Sequence, residues 1–119
     1  EDIFTKIDFK YKNAVASIKV AEGAKSEGEL IITGTEGYIY VPAPWWKTDY
    51  FEFRFEDQNK NKKCFLPFMG EGLRYEIREF ITNILSPENA SVILSDKEIL
   101  AMTDIQDRYI NGENLYKLV

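Results

Sequence analysis

The sequence predicts an α+β domain: a mostly antiparallel sheet covered on one face by two C-terminal helices. Three observations carry that expectation. Up to about residue 68, apolar and polar residues alternate with a period of two in short runs. From about residue 71, apolar positions recur three and four apart instead. Strand patterns therefore come first and helix patterns afterwards, without the βαβ alternation that builds parallel sheets.

Residues 3–12 place Ile7, Phe9 and Tyr11 on one side and Lys6, Asp8, Lys10 and Lys12 on the other, which is a half-buried strand with one wet face. Asn13 marks a turn. Ala14, Ala16, Ile18 and Val20 then alternate against Ser17 and Lys19 in a second strand, the hairpin partner of the first. A polar loop over 22–28 leads to short strands at 30–33 and 38–41, joined by Gly34-Thr35-Glu36-Gly37. The two glycines are expected to supply positive φ angles for a tight connection. In the second of these strands Tyr38 and Tyr40 share one face and Ile39 and Val41 the other. A strand apolar on both sides is either covered twice or part of a subunit interface. The expectation here is cover on one side and an interface on the other.

Pro42 and Pro44 stop the ladder, and Trp45 and Trp46 follow. Such a pair reads either as one ring on the core and one along the surface, or as a platform at a cleft or interface. Residues 50–56 form a strand with Phe51, Phe53 and Phe55 against Glu52, Arg54 and Glu56, and 57–63 close a hairpin into 63–68. Asp57-x-Asn59-x-Asn61 begins like a calcium loop, yet Lys62 stands where Gly is required and Phe68 where a bidentate Glu belongs, so no calcium site is expected.

The first helix is predicted over about 71–85, entered through Gly70-Glu71-Gly72 and ended by Ser86-Pro87. Leu73, Ile77, Phe80, Ile81 and Ile84 form its apolar stripe, and Arg74, Arg78, Glu79 and Thr82 are expected to face outward. For the second helix, Ser95 is the candidate N-cap and Glu98 completes a capping box, with Leu94 and Ile99 as a hydrophobic staple. It carries Ile99, Met102, Ile105, Tyr109 and Ile110, and Asn111-Gly112 terminates it.

At 119 residues one core is expected, and 45% hydrophobic with 29% charged residues is ordinary for a globular chain. A net charge of −5 argues against nucleic acid, whose phosphates call for a basic patch. Lys60, Lys62 and Lys63 read as a hairpin tip. No run approaches the roughly 20 apolar residues of a membrane span. No signal peptide is recognised, a cytoplasmic setting is expected, and the opening at Glu1 in strand pattern reads as a piece of a longer polypeptide. The single cysteine, Cys64, lies in an apolar run and reads as a small buried hydrophobe. The sequence holds no histidine, which excludes Ser-His, Cys-His and His-metal arrangements. Glu71 would occupy the helix entry that a phosphate would need, and no G-x-G-x-x-G follows a strand, so no dinucleotide fingerprint is present.

Tyr11-Lys12-Asn13, Gly34-Thr35-x-Gly37, Pro42-x-Pro44-Trp45-Trp46 and Gly70-x-Gly72-x-Arg74-Tyr75-Glu76, in that order and with a capped terminal helix, resemble the C-terminal domain of the Gfo/Idh/MocA oxidoreductases. Ala14 departs from the Gly that the family often has after the turn Asn. The resemblance implies a substrate-pocket and oligomerisation domain working beside a Rossmann domain of the parent chain, which would bind NAD or NADP. The family's cofactor loop, its catalytic Lys and its Asp/His pair have no counterpart here. No catalytic, cofactor-binding or metal residue is therefore assigned, and the chain alone is expected not to catalyse. An alternative is a binding or assembly module that kept the same fold. For a sugar-like ligand the candidate residues are Trp46, Lys47, Arg74 and Tyr75: a stacking face, two cations and a hydroxyl. For Arg74 and Tyr75 the favoured reading is an exposed helix face paired locally with Glu71. Tyr38, Tyr40 and Trp45 are the candidate interface residues of a homo-oligomer built through the sheet.

Overall fold

A computed structural model of the chain describes residues 4–86 and 94–115. The fold is α+β, with antiparallel strands first and helices after. Contacts divide the chain into two units, Glu1–Gly70 and Glu71–Val119. Ile3, expected to open the first strand, and Pro87, expected to stop the first helix, lie outside the described residues.

The first unit holds two sheets. Strands β1 (Phe4–Lys10) and β2 (Val15–Ala21) pair as a hairpin in which Thr5 meets Val20, Ile7 meets Ile18 and Phe9 meets Ala16. Directly opposed residues share a face, so the expected apolar side is assembled from both strands. The other side carries Asp8 opposite Ser17. Lys6 Nζ donates to Asp8 at 2.8 Å and the Ser17 hydroxyl donates to its second oxygen. These donors, Lys6 first, hold the Asp8 carboxyl below its ordinary range. β1 ends at Lys10, not Lys12, because the Tyr11 N–H is spent on the turn, donating to the Ala14 carbonyl at 2.9 Å.

The second sheet has the order β3-β4-β5-β6, from β3 (Leu30–Thr33), β4 (Gly37–Val41), β5 (Tyr50–Phe55) and β6 (Lys62–Phe65). β4 is an interior strand, paired with β3 on one side and β5 on the other. The glycines at its entry work differently from the expectation. Among the described residues the glycines with positive φ are Gly70 (70°) and Gly112 (73°), not Gly34 or Gly37. Gly37 is needed for close approach instead: a Cβ there would stand 2.5 Å from the Arg54 carbonyl oxygen of the paired strand.

The loop after β5 contains a short 3-10 turn, Gln58–Lys60. Asp57 Oδ1 accepts from the Asn59 backbone N–H and from its side-chain amide, both at 3.1 Å, and Asn61 Oδ1 accepts from the Phe55 N–H at 2.8 Å. The residues that resemble the start of a calcium loop are thus the pins of a hairpin turn. β6 is shorter than expected, ending at Phe65, although the Leu66 N–H still donates to the Asp49 carbonyl at 2.8 Å and the Phe68 N–H to the Asp49 carboxylate at 3.1 Å.

In the second unit, α1 (Leu73–Leu85) begins one residue after Gly72 and ends where the Ser86 N–H donates to the Thr82 carbonyl at 2.9 Å. Its stripe has the expected spacing but not the expected burial. Leu73, Ile77, Phe80, Ile81 and Ile84 are exposed, and Glu79 and Thr82, expected outward, are half-buried. The Thr82 hydroxyl folds back to donate to the Arg78 carbonyl at 2.9 Å, which draws that side chain onto its own helix.

α2 (Asp96–Ile110) has the predicted capping box in full. The Ser95 N–H and hydroxyl donate to Glu98 Oε2 at 2.7 and 2.6 Å, and the Glu98 N–H returns to Ser95 Oγ at 3.4 Å. At the other end the Glu113 N–H donates to the Arg108 carbonyl at 2.9 Å and the Gly112 N–H to the Tyr109 carbonyl at 3.1 Å. That is a Schellman closure, with Gly112 in the left-handed conformation it demands.

Candidate functional site

The four-stranded sheet has two unlike faces, and the pairing dictates which residue joins which. Ile32 meets Ile39 and Ile39 meets Phe53. Phe51 meets Cys64, and Leu30 meets Val41. With Phe55, these side chains make one face wholly apolar except at Lys62. The rings of Phe51 and Phe53 lie edge to face with centroids 5.6 Å apart.

On the opposite face Tyr38 stands across from Arg54, Tyr40 from Glu52, Glu52 from Lys63 and Tyr50 from Phe65. The Arg54 guanidinium lies over the Tyr40 ring at 4.2 Å and the Tyr38 ring at 5.9 Å. Its Nη2 pairs with Glu52 Oε2 at 2.7 Å, and its Nε donates to the same oxygen at 2.8 Å. Lys63 Nζ sits 3.4 Å from the Tyr50 ring centroid and 5.3 Å from that of Phe65, with Glu52 Oε1 at 3.8 Å. One carboxylate thus ties together two cations, each of which rests on aromatic rings. Hydrogen bonding with Tyr38, and then with Glu52, raises the Arg54 pKa above its already high value.

This cluster gathers both tyrosines expected at an interface, Tyr38 and Tyr40, and adds Tyr50, Glu52, Arg54, Lys63 and Phe65, which the sequence reading passed over. The signal that could have found them is parity. In the register that sets Ile39 opposite Phe53, the even-numbered residues of β4 and β5 share one face, so the charges of β5 land beside the tyrosines of β4. The face remains open, with Tyr38 38% and Phe65 71% exposed.

Trp45, Trp46 and Lys47 form a single 3-10 turn just after β4. The Ala43–Pro44 peptide ahead of it is cis. The Trp45 N–H donates to the Gly28 carbonyl at 2.9 Å, and the Lys47 N–H to the Pro44 carbonyl at 2.9 Å. The Trp46 ring packs over Gly28, where an added Cβ would come within 3.3 Å of it. The two indoles meet edge to face, 6.1 Å between centroids, and are 50% and 62% exposed. Neither ring is packed away, so the turn presents a bent aromatic surface to solvent.

Arg74 and Tyr75 belong to the second unit and occupy the first turn of α1. The Arg74 N–H donates to the Glu71 carbonyl at 3.2 Å and the Tyr75 N–H to the Gly72 carbonyl at 3.0 Å. The candidate residues thus fall into three groups: the β4 tyrosines, the tryptophan turn and the entry of α1.

An open concavity of about 660 Å³ lies at the β3–β4 turn end of the sheet, lined by Thr35, Glu36, Phe55, Glu56, Asp57 and Lys60. It includes none of the candidate residues. Among the described residues no group of three or more His, Cys, Asp or Glu side chains is placed to hold a metal ion. Among them, too, no helix is long and apolar enough to cross a membrane. Comparison with models of protein families, with curated proteins and with solved structures returned no match to this chain.

Proposed function

We propose that the chain is a binding and assembly domain: the substrate-pocket and oligomer-contact part of an NAD(P)-dependent sugar or polyol oxidoreductase, not catalytic by itself. The observation that supports the binding and assembly role is the two-faced sheet. Its tyrosine face holds two cations and a carboxylate against aromatic rings. Such a surface is built to be covered by a partner, since aromatic and Arg side chains are the usual anchors of interfaces. The redox assignment rests on the ordered motifs shared with the Gfo/Idh/MocA C-terminal domain. On this reading a Rossmann domain of the parent chain supplies NAD or NADP and the reacting groups, and the setting is cytoplasmic. The interface of the homo-oligomer includes Tyr38, Tyr40 and Trp45.

The test is the full-length gene product. Its coding sequence ahead of Glu1 is expected to specify a βαβ dinucleotide fold, and the purified protein should bind NAD or NADP and oxidise a sugar or polyol. In that protein Trp46→Ala is expected to weaken sugar affinity roughly three- to tenfold, the size of a lost stacking contact, with the fold intact by circular dichroism. Unchanged affinity would remove Trp46 from the pocket.

A second reading, a module that kept the fold for assembly alone, is favoured by the openness of Tyr38 and Phe65. It predicts a full-length product that self-associates but binds no dinucleotide, so one titration separates the two.

A further inference from the structure

The outer edge of β3 carries an inference that stands independently of the reading above. β3 ends the four-stranded sheet, with β4 on one side and no described strand on the other. The Gly34 N–H donates to the Gly37 carbonyl at 2.8 Å, which makes that pair a hydrogen-bonded one. Bonded and non-bonded pairs alternate along an antiparallel ladder. Ile32 therefore bonds Ile39, and Ile31 and Thr33 turn their N–H and C=O groups away from β4.

Soluble proteins usually blunt such edges with charge or proline. Among the other strands with an open edge, β1 contains Lys6, Asp8 and Lys10, β2 contains Lys19, and β6 contains Lys62 and Lys63. β3, Leu30-Ile31-Ile32-Thr33, contains no charge, and Ile31 and Ile32 are 51% and 53% exposed.

We propose that β3 pairs with β3 of a second copy of this chain, antiparallel about a two-fold axis through Ile32. In that register Ile31 of one copy lies opposite Thr33 of the other. Each outward N–H then meets an outward carbonyl, because the two residues that project groups from the edge are the two that the symmetry brings together. Ile32 packs against its own counterpart on the apolar face, and Leu30 lies opposite Gly34, whose missing side chain leaves room for it. Both faces of the sheet continue unbroken across the junction. The edge is complementary to itself, and a closed two-fold contact uses it completely. That self-complementarity selects a second copy over a foreign strand.

The experiment follows amide hydrogen exchange at Ile31 and Thr33 over a range of protein concentrations, together with the sedimentation mass of the whole chain. The expected result is a mass that doubles as concentration rises, while those two amides slow by about tenfold. Thr33→Pro removes an outward donor but no bond to β4, and is expected to halve the mass reached at high concentration. A chain that stays monomeric throughout overturns the proposal. So does a dimer in which both amides exchange as fast as in dilute solution, since its contact would lie elsewhere, for instance on the face of Tyr38 and Tyr40. Protection that does not vary with concentration also overturns it, because the edge would then be occupied within one chain. Should Thr33→Pro fail to fold, the exchange data on the unaltered protein decide alone. Failure of dinucleotide binding by the full-length product would sink the enzyme assignment and leave these measurements untouched.

Discussion

Gly37→Ala is expected to lower the stability of the sheet by about 3 kcal/mol, the upper end of what overpacking costs. The added methyl would stand 2.5 Å from the Arg54 carbonyl oxygen and 2.9 Å from Phe55 Cδ1. The first of these is backbone of the paired strand and cannot swing aside. Relief requires β4 to lift from β5, which also parts Tyr38 and Tyr40 from Arg54. A urea titration should show the midpoint fall, and the ring resonances of Tyr38 and Tyr40 should shift in the same variant. Gly34→Ala is the control. Its Cβ would meet the Gly37 carbonyl at an ordinary 3.4 Å, so its effect should stay within about 1 kcal/mol. Equal losses for the two variants would remove the close-approach explanation.

Ser95→Ala is expected to cost about 1 kcal/mol of helix stability, the usual value of an N-cap. It removes the hydroxyl that accepts the Glu98 N–H and donates to the Glu98 carboxylate. The same cap is expected to make α2 sensitive to acid. Hydrogen bonds from the Ser95 side chain, and then its backbone, hold the Glu98 carboxyl below its ordinary pKa. A lowered folded-state pKa means that the contribution is fully present above the unfolded value of about 4.3 and is lost as pH falls through the lower folded value. The helical circular dichroism signal should therefore decline on acidification below about pH 4.3 in the unaltered chain. Glu98→Gln should flatten that decline. An equally steep loss in the variant would assign it to other carboxylates.

Local rules made the ends of α2 readable in advance, because a cap is decided by residues within a few positions of one another. Ser95 with Glu98 and Asn111 with Gly112 are of that kind. Parity within a strand was readable for the same reason, and Phe51, Phe53 and Phe55 are distributed as their alternation requires. What lay beyond reach depends on a second strand. Gly37 looks like a turn glycine until the Arg54 carbonyl is placed beside it. Tyr38 and Tyr40 look merely apolar until the pairing brings Arg54, Glu52 and Lys63 to their face. The burial of α1 was misjudged because periodicity reports which residues share a stripe, not what covers it. Among the candidate site residues, the interface tyrosines found a chemical setting, and the tryptophan turn was located without one being predictable from its spacing.

The perpendicular indoles of Trp45 and Trp46 also make the molecule its own optical probe. They are the only two tryptophans in the chain, and they stand 6.1 Å apart on one turn. All intrinsic emission excited at the red edge thus originates at a single spot beside β4, where excitation passes readily from one ring to the other. A guest that settles on that spot will therefore shift or quench the emission of both rings together.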